Sequence, residues 1–258
     1  MIDIALNLSS GQFATDRDQV MSRAYQAGVK QFLLLASDAS EARVVAQLAE
    51  KYQGCVATAG CHPHQAGEWQ DQDLAMVAEL SQLSQVVAIG ECGLDYNRNY
   101  SPVAIQKRVF ERQLELAAEL GLPVLLHERD AHEDFMLILS RWLPRLKSAV
   151  LHCFTGDKQA LIRYLEAGLY IGLTGWICDE RRGQMQRSLV ADIPTDRLFL
   201  ETDAPYLLPR DLPNKPGNRR NEPCYLPHIY QTVADLKGLP MAQLEQQISQ
   251  NFQRVFFA

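Results

Sequence analysis

Eight short apolar runs alternate with segments of helical periodicity along the chain, and this alternation restricts the fold more than any other feature. The runs occupy residues 2–8, 32–36, 55–60, 86–89, 123–126, 149–151, 169–173 and 198–200. Runs of this kind, separated by helices, are typical of parallel strands buried on both faces. Eight β-α units in 258 residues predict an α/β protein that is a single (β/α)8 TIM barrel domain over residues 1–258. A doubly wound sheet is the alternative, but it rarely uses eight units in this length.

The composition excludes several classes of protein. Hydrophobic residues make up 47% of the chain and charged residues 22%, so the chain can bury a large core and is not disordered. No apolar run approaches the ~18 residues of a membrane span, and the first residues lack the apolar region of a signal peptide. The six cysteines form no CxxC pair, which is typical of reduced thiols. We therefore expect a cytoplasmic monomer with no membrane partner.

Polar side chains follow the apolar runs where the predicted strands end, and Glu91 is at the centre of this pattern. In a barrel these ends share one rim, where catalytic groups are found. Two carboxylates and two or more imidazoles that face one another make a divalent-metal site. One histidine at a strand end is more often structural, but five strands ending in this way are hard to obtain by chance. The residues concerned are Asn7, His62, His64, Glu91, His127, His152 and Asp203.

Four ordered segments give the chain a family resemblance. They read AIGECGLD at 88–95, LHERDA at 126–131, LHCFTG at 151–156 and LETDAPY at 200–206, and NRRNEP follows at 218–223. Together they resemble the signature segments of the TatD-family metal-dependent deoxyribonucleases, which belong to the amidohydrolase-like barrels. The resemblance implies a barrel of the metallo-dependent hydrolase type. It also implies hydrolysis of phosphodiester bonds from the 3′ end of single-stranded DNA, with RNA as a further candidate substrate.

The first strand departs from the family pattern. Most members begin with Asp-x-His-x-His, and both histidines bind metal. This chain has Ala5 and Asn7 at the two histidine positions. The remaining partners of a second ion are then the carboxylates of Glu91 and Asp203, helped by the Asn7 amide and water. A hard ion suits oxygen ligands, so Mg²⁺ is expected, with Mn²⁺ as the alternative. Whether one ion or two are bound stays open.

The resemblance implies a role for each site residue. Glu91, His127 and His152 would hold one ion. Asp203 would be the general base or a ligand of the second ion, so Glu91 and Asp203 are the predicted catalytic residues. The histidines His62 and His64 are predicted to bind a phosphate oxygen, although His64 is equally well explained as a structural loop residue.

A local basic patch is the predicted contact with nucleic acid. The net charge of −6 argues against a protein that coats duplex DNA, but not against one that binds a strand end beside a metal. Arginine pairs with phosphate oxygens in a bidentate manner, and we assign substrate binding to Arg129, Arg219 and Arg220. Further rim arginines are Arg98, Arg181 and Arg182.

Two other functional hypotheses compete with that of a nuclease. The first is a metal-dependent amidohydrolase or esterase that acts on a small molecule, which related barrels do with the histidines that are missing here. The second is a non-catalytic protein that retains the barrel. The retained Glu91, His127, His152 and Asp203 argue against the second reading.

Overall fold

The computed structural model describes residues 1–181 and 183–258, and within them eight parallel strands form one sheet. The strands follow the chain order without exchange, from β1 to β8. They are β1 (Ile2–Leu6), β2 (Gln31–Leu34), β3 (Cys55–Ala59), β4 (Val86–Asp95), β5 (Val124–Arg129), β6 (Ala149–Leu151), β7 (Tyr170–Leu173) and β8 (Leu198–Leu200).

The chain following β8 returns to β1. A parallel bridge joins Leu6 to Ala204, and the amide of Asp203 donates to the carbonyl of Ala5 over 2.9 Å. The sequential strand order is that of a barrel, whereas a doubly wound sheet reverses direction at a switch point. The predicted (β/α)8 barrel is therefore confirmed, and the doubly wound alternative is wrong.

Helices cover the outside of the sheet, as the alternating pattern predicts. The final helix buries Leu244, Ile248, Phe252 and Val255 on one face, which is the face that its periodicity indicates. The helices are α1 (Arg17–Gln26), α2 (Ala39–Lys51), α3 (Asp71–Leu80), α4 (Val103–Leu120), α5 (His132–Trp142), α6 (Lys158–Glu166), α7 (Gln184–Leu189), α8 (Leu226–Lys237) and α9 (Met241–Phe256).

β4 differs from the sequence prediction in its length. The apolar pattern ends the strand at Glu91, but the strand continues to Asp95, and all ten of its residues are buried. The continuation pairs with β5 in register, with Gly93 opposite His127 and Asp95 opposite Arg129. Both strands therefore extend above the apolar core and bring polar side chains to the carboxyl rim.

The proline-rich segment between β8 and α8 has little regular structure, as predicted, but it is firmly held. The buried Asn221 side chain donates to the carbonyls of Thr202 and Tyr206, over 2.9 and 2.6 Å. Just after it, Glu222 accepts hydrogen bonds from both Arg23 and Arg220. These contacts fix the segment against α1 and the end of β8.

Within the described ranges, no helix is both long and apolar enough to cross a lipid bilayer.

Gly93 provides a test of how closely β4 and β5 approach each other. Its φ is +152°, and a Cβ added there would lie 1.8 Å from the carbonyl oxygen of His127. We expect Gly93→Ala to lower the free energy of unfolding by more than about 2 kcal/mol, because backbone atoms must move to relieve the clash. Urea denaturation measures this difference. Gly11→Ala is the control, since nothing lies within 4 Å of the added methyl, and equal losses in the two variants would contradict the interpretation.

Candidate metal centre

Three imidazole rings converge on one carboxylate oxygen at the carboxyl rim. The Oε1 atom of Glu91 lies 2.6 Å from His152 Nε2, 3.1 Å from His127 Nδ1 and 3.4 Å from His62 Nε2. The rings come from β5 and from the chain just after β6 and β3, and Glu91 itself is buried. The barrel thus brings together side chains from four neighbouring strands around Glu91.

The pKa values describe a centre with paired charges. Burial alone would raise the pKa of Glu91, but the charge of His152 and the hydrogen bonds from His127 and His152 outweigh it and hold this pKa well below its ordinary value. Burial lowers the pKa of His152, yet Glu91 and Glu201 raise it well above its ordinary value. In the metal-free protein, the pair is therefore an imidazolium and a carboxylate. A metal cation can take the place of that proton.

Asp95 is a site residue that the sequence analysis missed. Its Oδ2 atom lies 3.1 Å from His127 Nε2 and 2.8 Å from His64 Nε2. His127 is therefore held between two carboxylates, with Nδ1 directed at Glu91 and Nε2 at Asp95. A carboxylate behind a ligating imidazole fixes the orientation of the ring and raises its basicity. The spacing could have revealed this role of Asp95, because residues 91 and 95 point to the same side of an extended strand.

Glu201 lies behind His152 in a comparable position. It is fully buried, and its Oε1 atom is 3.5 Å from His152 Nδ1 and accepts a hydrogen bond from the Cys153 amide. Glu91 and Glu201 therefore flank His152 from opposite sides of its ring.

Asp203 and Asn7 meet where the chain after β8 returns to β1. The side-chain amide of Asn7 donates to Asp203 Oδ1 over 2.9 Å. Burial, together with the negative charges of Glu91 and Glu201, raises the pKa of Asp203 to about 7 against the opposing charge of His152. Asn7 therefore orients Asp203 through a hydrogen bond. This role of Asn7 is additional to the predicted one, in which its amide assists a second ion.

His62 is closer to the centre than the sequence analysis assumed. Burial lowers its pKa to about 4, so the ring is neutral at pH 7. Its Nδ1 atom accepts the amide proton of His64 over 3.1 Å, which leaves the ring proton on Nε2, facing Glu91. In this tautomer His62 is a hydrogen-bond donor at the centre. Its ligand nitrogen also lies within 4.8 Å of the ligand atoms of Glu91 and His127, so the three residues could hold one metal ion.

The residues at this rim fit a divalent cation. Imidazole nitrogens and carboxylate oxygens together are a common donor set for such ions. Glu91 and Glu201 are buried, and their negative charges act together with burial to raise the pKa of the neighbouring Asp203 to about 7. A cation between them would relieve this repulsion.

A model of the TatD related DNase family matches residues 2–257. The chain belongs to this family. Two relatives called "3'-5' ssDNA/RNA exonuclease TatD" are similar over nearly the whole chain: that of Erwinia tasmaniensis is 54% identical over 99% of both chains, and that of Cronobacter sakazakii is 52% identical over 99% of this chain and 97% of its own. The crystal structure of YjjV, a TatD homologue from Escherichia coli K12, superimposes with a TM-score of 0.90 at 30% identity and covers 100% of this chain and 98% of its own. An amidohydrolase structure from Saccharomyces cerevisiae, with a TM-score of 0.88 at 24% identity over 99% of each chain, shares the fold.

Membership of the TatD family implies a divalent metal, and the cluster around Glu91 contains residues that can hold one. The individual ligands, and the choice of Mg²⁺ or Mn²⁺, stay predictions.

The predicted substrate-binding arginines separate into two groups. Arg129 lies at the end of β5 with its guanidinium 5.3 Å from the ring centre of Trp176, and Arg219 lines a rim cavity of about 500 Å³ together with Arg210 and Lys215. Arg220 instead bonds to Asp16, Glu222 and the Gln12 carbonyl, and its side chain is only 13% exposed. These bonds occupy the two terminal nitrogens of its guanidinium, and its contact with phosphate stays a prediction. Arg182 lies outside the described residues.

Asp95→Asn tests the support of His127. We expect the affinity for Mn²⁺ to fall about 10- to 100-fold, because the amide replaces the carboxylate that orients the ring. Isothermal titration of the metal-free protein measures the change. Asp134→Asn is the control, since Asp134 bonds Tyr96 and Lys107, which lie outside the cluster around Glu91. Equal affinities for Asp95→Asn and the unmodified protein would contradict the assigned role.

Proposed function

We propose that this protein is a metal-dependent exonuclease that removes nucleotides from the 3′ end of single-stranded DNA and RNA. The observation that carries the proposal is the convergence of three imidazoles on Glu91 at the rim of a TatD-family barrel. The printed activity of relatives more than 50% identical over nearly the whole chain supports the choice of substrate. The barrel acts as one catalytic domain in this proposal.

We assign the first metal position to Glu91, His127 and His152, and we assign the carboxylate of Asp203 to a second ion or to proton transfer. Mg²⁺ suits the second position best, because that position offers oxygen and a neutral amide rather than imidazole. A bound divalent cation supplies charge neutralisation at the phosphate and activation of water.

The protein's own residues then carry the proton and orient the substrate. Asn7 donates to Oδ1 of Asp203, which leaves Oδ2 as the atom that takes the proton of the attacking water. We assign the Nε2 proton of His62, which faces Glu91 in the metal-free protein, to donation to a phosphate oxygen. His64 contacts Asp95 through Nε2, so we assign it to positioning Asp95 rather than to the phosphate.

The basic cavity around Arg219 is the proposed path of the strand beyond the scissile phosphate. Arg210, Lys215 and Arg219 line it beside a proline-rich backbone. Arg129 stays a candidate phosphate ligand, stacked on Trp176. A rim of this kind suits a free strand end, and Trp176 offers a face on which a base can stack.

Glu91→Gln tests the catalytic assignment. We expect roughly a 10³-fold or larger loss of nuclease rate, because the variant removes the charge on which the imidazoles converge. The assay uses a 5′-labelled single-stranded oligonucleotide with Mg²⁺ and resolves the products by length. Glu50→Gln, at an exposed position on α2, is the control, and circular dichroism checks that both variants fold. An active Glu91→Gln variant would contradict the catalytic assignment of Glu91.

The same oligonucleotide distinguishes a 3′ exonuclease from the competing amidohydrolase interpretation. Protection of the 3′ terminus should block cleavage, whereas protection of the 5′ terminus should not. Hydrolysis of small esters or amides without any attack on the oligonucleotide would favour the amidohydrolase reading instead.

Arg219→Ala tests the basic cavity. We expect weaker binding to single strands of any sequence, with the slope of log affinity against log salt reduced by about 0.7, as for the loss of one phosphate contact. Fluorescence anisotropy at several salt concentrations measures this slope. Arg43→Ala, which removes an exposed arginine of α2 that does not line the cavity, is the matched control. An unchanged slope in Arg219→Ala would remove this residue from the proposed strand path.

A further inference from the structure

A second group of metal-ligating side chains lies away from Glu91, among residues that the catalytic proposal does not use. The ligand atoms of Cys178, Asp211 and His228 all lie within 4.8 Å of one another. His228 Nε2 is 2.6 Å from Asp211 Oδ1, and the Sγ atom of Cys178 is 3.5 Å from the hydroxyl of Thr232. The thiol is buried, whereas the other two side chains are partly open to solvent, with exposures of 41% for Asp211 and 28% for His228.

Three separate segments supply these groups. Cys178 ends the short 3-10 turn Gly175–Cys178 that follows β7. Asp211 lies in the irregular proline-rich segment after β8. His228 lies in the first turn of α8, four residues before Thr232, so both point to the same side of the helix. The fold therefore brings a sulfur, an oxygen and a nitrogen ligand together at the outer part of the carboxyl rim.

We propose that Cys178, Asp211 and His228 bind a thiophilic divalent cation of the Zn²⁺ or Co²⁺ class. Thiolate, imidazole and carboxylate are the three side-chain ligands that Zn²⁺ takes. A thiolate is a poor ligand for Mg²⁺ and Mn²⁺, which prefer oxygen. The thiolate therefore distinguishes this site from the cluster of His62, Glu91 and His127, which offers imidazole and carboxylate ligands.

Binding changes the protonation and the spacing of these groups. Burial raises the pKa of the Cys178 thiol to about 12, so the metal-free protein keeps the thiol proton and releases it to solvent when the sulfur binds the cation. Two light-atom ligands on one tetrahedral Zn²⁺ lie about 3.3 Å apart. Asp211 and His228, now 2.6 Å apart, therefore separate slightly as the cation replaces the proton between them.

The cation would fasten the proline-rich segment to α8. Arg210, which precedes Asp211, forms an ion pair of 3.6 Å with Asp179, the residue after Cys178. The same segment carries Lys215 and Arg219, which line the basic cavity. Zn²⁺ at this site should therefore slow proteolytic cleavage of the segment, and this effect is independent of catalysis.

Titration with Co²⁺ tests the proposal. The full-length protein is stripped with a chelator and titrated while its near-ultraviolet absorption is recorded. We expect Co²⁺ to produce a thiolate-to-cobalt charge-transfer band, which imidazole and carboxylate ligands cannot give. The band should persist in Glu91→Gln, because that variant alters only the other centre, and in the matched thiol control Cys224→Ser. It should be absent from Cys178→Ser.

A band that is absent from the unmodified protein, or that survives in Cys178→Ser, would overturn the proposal. His228→Ala provides a second test at a partly exposed position if Cys178→Ser does not fold. We expect this variant to lower the affinity for Co²⁺, measured from the thiolate band, by more than about tenfold. Loss of a residue that only hydrogen-bonds a metal ligand already lowers affinity by about that factor. Unchanged affinity in His228→Ala would equally exclude the site.

Discussion

The buried carboxylate of Glu91 is the group on which the rest of the rim depends. A charge removed from water is costly unless partners compensate it, and here the partners are imidazoles from other strands. Asp95 hydrogen-bonds His127, and Glu201 lies 3.5 Å from His152, so carboxylates and imidazoles alternate across the barrel mouth. This alternation explains why β4 and β5 continue beyond the apolar core: the extra residues carry Asp95 into contact with His127.

The first strand makes the centre asymmetric. Ala5 is fully buried and provides no ligand atom, and Asn7 is occupied with Asp203 and the Ala204 carbonyl. Imidazole nitrogen is therefore concentrated on the side of β3, β5 and β6, while the side where β8 meets β1 offers oxygen and a neutral amide. An ion on the latter side has weaker protein ligands, and substrate phosphate is a natural complement to them.

The proline-rich segment after β8 links the rim to the outer helices. On one side, Arg220 and Glu222 join it to α1 through Asp16 and Arg23. On the other side, Asp211 meets His228 of α8. Between these two anchors lie Lys215 and Arg219, which are proposed to contact a nucleic-acid strand. A segment without regular hydrogen bonding can follow an extended ligand, while its anchors keep the charges near the centre.

The sequence alone determined the barrel, because strands buried on both faces are rich in apolar residues, and each of the eight runs overlaps one of the strands β1 to β8. It also placed Glu91, His127, His152 and Asp203 at one rim, since parallel strands end at the same edge. Only the tertiary structure decided how far β4 extends, that Asp95 orients His127, and that Arg219 and its neighbour Arg220 have different surroundings. The grouping of Cys178, Asp211 and His228 was likewise absent from any local pattern. These features depend on distances between side chains far apart in the chain, which periodicity and spacing along a strand do not encode.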